Sequence, residues 1–336
     1  MKVLSAKLKA PWQVRLDEVE LPDVPPVGWV RLRVEACGIC GTDLTAAEQN
    51  SEWSPFGHEI AGVIEVVGAE LHHLKVGQNV TVESSSFCGD CELCRAGRVD
   101  LCNKVPTFWT QPAMGFSQRM MVPARSVVPY EGLSAAVACL AEPAGVAFDM
   151  IKTAGIQGGD RVAVIGPGPI GLMAAALAVR GGASRVVVIG RPGNDARLAA
   201  AAAMGAEALT VDGDLSQQKN LTQAFEHVLL TAPVQLLPAS LSLLTYGGEL
   251  TYIGIGKGPG IISFDANDFH FRKLQLRSSF ASPAIYYPQV LRLLRAGVIP
   301  GEAMISHRFG LKEIGAAMQL YRDKKSTTNK IVILPA

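Results

Sequence analysis

The chain has 336 residues, of which 49% are apolar and 18% charged, enough for two domains that each bury a core. A formal net charge of +1 supplies no field that would draw it to nucleic acid or to an anionic membrane. The opening MKVLSAKLKAPWQVRLDEVELP is partly acidic and has no signal-peptide apolar core, and glycine or proline breaks the later apolar runs short of a bilayer span, so a cytoplasmic protein is expected.

In chain order, residues 1–130 carry short alternating runs, such as 29–35 and 60–67, and then Asn79–Val82, separated by turn glycines. At period two these read as half-buried strands of a small, twisted, mostly antiparallel barrel. Within it lie Cys37-Gly38-Ile39-Cys40-Gly41-Thr42-Asp43 and Gly57-His58-Glu59. A thiolate, an imidazole and a carboxylate neutralise a zinc ion and leave a fourth position for water or substrate, which makes the ion a Lewis acid. Glu142, in Ala141-Glu142-Pro143, is a further carboxylate that could ligate, exchange with Glu59 or orient a bound water. Each of these residues taken singly has a plainer reading, such as a core thiol, a core histidine or a surface carboxylate.

Cys88, Cys91, Cys94 and Cys102 fall within one short stretch, and seven cysteines in all leave one necessarily without an intrachain partner. Thiols at this spacing converge on one ion if the chain wraps around it, with Gly89 and Gly97 supplying backbone freedom. Seven residues before the last cysteine, then Asn103 rather than proline, favour zinc over an iron–sulfur cluster. Four thiolates leave no open position, so this zinc is read as structural, holding a lobe over residues 86–104.

The texture changes near residue 145. Residues 160–165 read as a strand, 166–171 as a glycine-rich turn, 172–179 as a helix, 185–189 as a strand and 195–204 as a helix closed by Gly205. This alternation implies a doubly wound parallel sheet. Later pieces are less regular: a strand at 227–230, a helix at 236–244, and a strand at 249–254 after a Gly247-Gly248 turn. Gly166-Pro167-Gly168-Pro169-Ile170-Gly171 matches the dinucleotide fingerprint between a strand and a helix, where the backbone can approach a pyrophosphate. The next strand ends Ile189-Gly190-Arg191, without the carboxylate that receives an adenosine ribose. Gly190 removes a charge that would repel a 2′-phosphate and Arg191 could pair with one, so NADP is favoured over NAD. Helical patterns at 288–296 and 311–321 and a strand at Lys330–Leu334 form a tail that could rejoin the first domain.

These pieces, in this order, resemble the zinc-dependent medium-chain alcohol and polyol dehydrogenases, including sorbitol and threonine dehydrogenases. The resemblance implies a GroES-like twisted β-barrel catalytic domain, residues 1–145, completed by a return segment, 278–336, with an inserted α/β Rossmann domain, 146–277. It implies two zinc ions per subunit, a homodimer or homotetramer, and Cys40 and His58 as ligands of the catalytic zinc, with Glu59 and Glu142 competing as the carboxylate. Thr42 corresponds to the hydroxyl that hands the substrate proton toward solvent. The implied activity is reversible hydride transfer between NAD(P) and a small polar alcohol or ketone, read as a polyol, sugar-derived or cyclitol secondary alcohol. A simple secondary-alcohol or amino-alcohol dehydrogenase is the alternative, and a non-catalytic zinc- and nucleotide-binding regulator a more distant one. Thr45 stands where many relatives carry a histidine that extends the proton relay. The stretch 45–55 is short, and Glu48, Gln49, Asn50 and Glu52 make it polar. Trp53, Phe56 and Trp109 are aromatic candidates for the site wall with no assigned role.

Overall fold

The structure, a computed structural model, describes residues 1–104, 107–254, 260–324 and 326–335. The chain divides into two compact units, one of residues 1–145, 281–297 and 301–336 and the other of residues 146–280 and 298–300. Among the described residues no helix is long and apolar enough to cross a membrane.

The first unit is organised around the strand Trp29–Gly38. Val30, Leu32 and Val34 are fully buried on one face, while Arg31 on the other faces Glu65, which also pairs with Arg119 at 2.7 Å. One edge of this strand pairs antiparallel with Glu59–Val67; the other is shared by Arg119–Pro123 near its start and Lys330–Leu334 at its end. Asn79–Val82, Val127–Pro129 and Ile305–Gly310 extend the sheet to seven strands, with the pairing of Ile305–Gly310 and Lys330–Leu334 parallel. A second sheet has the order Gln13–Glu20, Lys2–Lys9, Ser54–Pro55. Leu8, Leu32, Ile60, Ile64, Phe116 and Ile331 meet in one apolar core beneath these strands, the main source of the unit's stability. Gly38 pairs with Glu59 on one side and Val332 on the other, so three strands far apart in sequence meet where the candidate metal residues lie.

The second unit is a six-stranded parallel sheet in the order Glu207–Thr210, Arg185–Gly190, Arg161–Ile165, Phe225–Leu230, Leu244–Tyr252, Gln275–Ser278. The order reverses at Arg161–Ile165, the position beside which doubly wound sheets bind nucleotides. The helix Pro169–Arg180 follows this strand and buries Leu172 to Ala178.

Four local differences from the sequence reading have physical causes. Gly247-Gly248 is not a turn before a strand. Leu244–Tyr252 runs through it, and a register shift between Phe225 and His227 absorbs the extra residues. The single helix expected over 236–244 breaks into Val234–Leu236, Leu237–Ser240 and Leu241–Leu243, only the middle piece α-helical, with Pro238 in its first turn. Glu207–Thr210 is an edge strand whose residues stay largely exposed, so no apolar pattern marks it. Residues 41–49 form a helix, Gly41–Gln49, its first turn tied by the Asp43 side chain to the backbone of Cys40.

Candidate active site

Cys40 immediately precedes the helix Gly41–Gln49. Its N–H donates to Asp43 Oδ2 at 2.8 Å, and the exposed Thr42 hydroxyl hydrogen-bonds to its thiol. His58 lies just before the strand Glu59–Val67 and is 5% exposed. Its Nδ1 is 3.9 Å from Asp43 Oδ1, and its Nε2 is 4.0 Å from Oε1 of Glu142, in the first turn of the helix Ala141–Ala154.

Glu59 takes a different partner. Its Oε1 accepts from Lys330 Nζ at 2.6 Å, and the same ammonium donates to Ile39 O at 3.1 Å. A Cβ on Gly38 would lie 2.0 Å from Glu59 Oε2, so the absent side chain there makes room for the carboxylate. The two carboxylates left open by the sequence therefore have different partners: Glu59 is engaged by Lys330, whereas Glu142 faces His58.

This pocket crowds acids together. Burial pushes the Glu142 carboxyl up to about 8, with the His58 charge opposing and those of Glu59 and Cys40 adding. Burial likewise raises Cys40 to about 11, with Glu59 adding and Lys330 and Thr42 opposing, and raises Asp43. His58 Nδ1 and Glu59 Oε2 are buried without a hydrogen-bond partner. One ammonium and one imidazole amid this many potential anions leave a place for a divalent cation, and a donor set of thiol, imidazole and carboxylate suits zinc. The ligand atoms are not drawn tightly together: among the described residues only the four-cysteine lobe brings three or more such atoms within 4.8 Å of one another.

In that lobe the Sγ–Sγ separations include 3.6 Å for Cys88–Cys102, 3.9 Å for Cys88–Cys94 and 4.0 Å for Cys91–Cys102. Sulfurs about 2.3 Å from a common zinc stand about 3.8 Å apart at the corners of a tetrahedron. All four thiols are free, at separations no disulfide allows. The N–H groups of Cys88 and Cys91 donate to Cys102 and Cys88 sulfur, and the first of these leads the effects that pull the Cys102 thiol down to about 7. Gly89 and Gly97 both adopt positive φ, the freedom the wrap requires.

In the second unit, Gly166 has φ +105° and a Cβ on Gly171 would lie 2.1 Å from Gly166 O, so the turn closes only around glycine. Thr231 Oγ1 ties it down by donating to Gly166 O at 2.8 Å. Pro167 sits over Gly190, where a Cβ would meet it at 3.0 Å, and the helix begins at Pro169, so Ile170 and Gly171 lie in its first turn. Gly168 has open space where a side chain would stand, as a pyrophosphate cradle needs. Arg191 is exposed just past the strand tip, its carbonyl accepting from Asn194 Nδ2 at 3.1 Å.

Of the three aromatic candidates, Phe56 packs in the core against Phe116, and Trp53 lies under the Arg15 guanidinium. Trp109 is 48% exposed, and its ring centroid is 5.2 Å from that of His58, so it alone borders the site. Thr45 Oγ1 bonds back to Gly41 O at 3.4 Å. Sequence reasoning missed Asp43 and Lys330. Asp43 had a signal, an acid three residues after Cys40 at a helix start. Lys330, a charge heading the apolar strand Lys330–Leu334, had only a faint one.

Two family models match the chain: Alcohol dehydrogenase GroES-like domain over residues 26–132 and Zinc-binding dehydrogenase over residues 169–296. L-threonine 3-dehydrogenase of Bacillus licheniformis is 30% identical across 94% of both chains. The chain belongs to the zinc-dependent medium-chain alcohol/polyol dehydrogenase family. L-galactonate-5-dehydrogenase of Escherichia coli K12 is 29% identical across 86% of both chains. The solved structure of alcohol dehydrogenase TADH from Thermus sp. ATN1 is 26% identical with a TM-score of 0.88, covering 98% of this chain and 99% of the other. The protein is thus a zinc-dependent, NAD(P)-linked dehydrogenase with a GroES-like domain and a Rossmann sheet.

Proposed function

We propose that this dehydrogenase reversibly oxidises a secondary hydroxyl of a small polyol, sugar-derived or cyclitol substrate, with NADP favoured over NAD. The observation that carries the reading is the set of Cys40, buried His58 and Glu142, with His58 Nε2 4.0 Å from Glu142 Oε1 and with the Cys40 thiol and Glu142 carboxyl both pushed up by burial, which a bound cation would offset. These three would hold the catalytic zinc, and Glu59, engaged by Lys330, balances charge behind them. Zinc bound there supplies Lewis-acid polarisation, and the nicotinamide supplies the hydride acceptor. Thr42, exposed and hydrogen-bonded to Cys40, takes the substrate hydroxyl proton and passes it to water. The exposed Glu48, Gln49 and Glu52 and the L-galactonate-5-dehydrogenase relative support a hydroxyl-rich substrate.

Cys88, Cys91, Cys94 and Cys102 would hold a second, structural zinc, making two per subunit. Residues 1–145 and 278–336 would carry the substrate chemistry, and residues 146–277 the cofactor, on Gly166 to Gly171, Gly190 and Arg191. Exposed Tyr246, Phe271 and Phe280, near the sheet edge made by Gln275–Ser278, support a homodimer or homotetramer. Seven unpaired cysteines suit the cytoplasm, which keeps thiols reduced.

The test is a screen of polyols, sugar acids, amino alcohols and simple alcohols with each cofactor, read as absorbance of the reduced nicotinamide. Turnover confined to simple or amino alcohols would overturn the substrate class. Arg191→Ala should raise KM for NADP about tenfold and leave KM for NAD nearly unchanged, as expected for loss of one charge-assisted contact. Equal effects on both would remove the cofactor preference.

A further inference from the structure

Ser84 is joined to both walls of the site around His58. Its hydroxyl stands 3.5 Å from Glu142 Oε1, the same oxygen that faces His58 Nε2 at 4.0 Å. Its carbonyl accepts from Trp109 Nε1 at 2.7 Å, and the Trp109 ring lies beside that of His58 at 5.2 Å. The backbone carrying Ser84 is pinned on both sides. Glu83 N donates to Ser126 O at 2.8 Å, Ser86 Oγ donates to Arg125 O at 3.2 Å, and Ser85 bonds to Ser282 through hydroxyls 2.6 Å apart and to Ala284 N through its carbonyl. A donor on so constrained a backbone has few positions available, and the carboxylate that meets it loses rotational freedom in turn.

We propose that Ser84 is a positioning residue that aims the Glu142 carboxylate at His58 with its hydroxyl and anchors the Trp109 indole with its carbonyl. One residue then sets both a metal-binding carboxylate and the aromatic face presented to substrate, an inference that rests on the reading of His58 and Glu142 as zinc-binding. Glu142 is largely buried, with the His58 imidazole at 4.0 Å as its other polar neighbour on this side, so loss of the hydroxyl frees the carboxylate to swing from Nε2. Trp109 is half exposed and stacks on Phe108 at 5.9 Å, and its indole N–H is the hydrogen bond that fixes the rotation of the ring beside His58.

The experiment uses the intact zinc-loaded protein and follows zinc withdrawal by a colorimetric chelator, together with kcat and KM. Wild type should release zinc in two phases, a fast one from the Glu142 site and a slow one from the four cysteines. Ser84→Ala should accelerate the fast phase about tenfold, the usual consequence of losing a group that orients a ligand, and leave the slow phase unchanged. Ser84→Thr should restore it. Trp109→Phe keeps the ring but removes the donor, and should raise KM severalfold with both zinc phases unaltered. A fast phase in Ser84→Ala within twofold of wild type, or no rescue by Ser84→Thr, overturns the role of the hydroxyl; acceleration of both phases in Ser84→Ala does so too, because the effect is then general unfolding. An unchanged KM in Trp109→Phe overturns the anchoring role. Failure of the underlying reading looks different: His58→Ala would then hold as much zinc as wild type.

Discussion

Lys330 Nζ stands 2.6 Å from Glu59 Oε1, with 3% of one side chain and none of the other exposed. Surface pairs such as Arg98–Asp100 are each worth less than about 1 kcal/mol, but removing one partner of a buried pair strands an uncompensated charge at a cost of about 3–5 kcal/mol. Lys330→Met should therefore lower the unfolding free energy, measured by denaturant titration, by about 3–5 kcal/mol, and adding Glu59→Gln to it should recover much of the loss. Glu83 makes a prediction in pH. It is 5% exposed, and burial pushes its carboxyl up to about 8, with a Ser86 hydrogen bond opposing. From about 4.5 to about 8 the folded chain keeps a proton that the unfolded chain has lost, so the unfolding free energy falls as pH rises through that window, by on the order of a few kcal/mol. Glu83→Gln should flatten the slope and make the variant more stable than wild type above pH 8. Parallel stability–pH curves for the two proteins would show that Glu83 does not titrate in this way.

At the scale of elements, the turn between Arg161–Ile165 and Pro169–Arg180 has no slack. Gly171 packs on the backbone of Gly166, and a methyl there would have to displace main chain rather than a flexible side chain. Gly171→Ala should weaken binding of the nicotinamide dinucleotide about tenfold, measured by quenching of intrinsic fluorescence, while the zinc content stays that of wild type. Parallel losses of zinc and cofactor would mean that the two units do not fold separately. The lobe at residues 86–104 is the opposite kind of element. Its short helices Glu92–Arg95 and Val99–Leu101 bury none of their residues, so apolar packing contributes little to its shape.

At the scale of the whole molecule, what could be read from the sequence is what is local. Cys88 to Cys102, the Gly166–Gly171 turn and the alternation in residues 29–35 each lie within one stretch of chain, where spacing alone limits the geometry. The Lys330–Glu59 pair and the meeting of Ser84 with Glu142 and Trp109 depend on which strands and loops become neighbours, and no periodicity encodes that. The different partners of Glu59 and Glu142 were out of reach for the same reason, since the cation that engages Glu59 comes from a strand 271 residues away. Exposed Phe271, Phe280 and Tyr246 lead to a prediction about assembly: the native mass in light scattering should be two or four times 35.6 kDa, and a strictly monomeric mass would exclude the proposed oligomer.

The distance along the chain between Glu59 and its cation also matters during synthesis. At about 5–20 residues per second a ribosome takes roughly 15–55 s to travel from one to the other. Throughout that interval the emerging barrel holds a carboxylate that cannot be buried in charged form, and the edge of Trp29–Gly38 that Lys330–Leu334 will cover stays open. Until then Glu59 can be buried only as the neutral acid, and the uncovered edge at Cys37 and Gly38 is open to pairing with another chain.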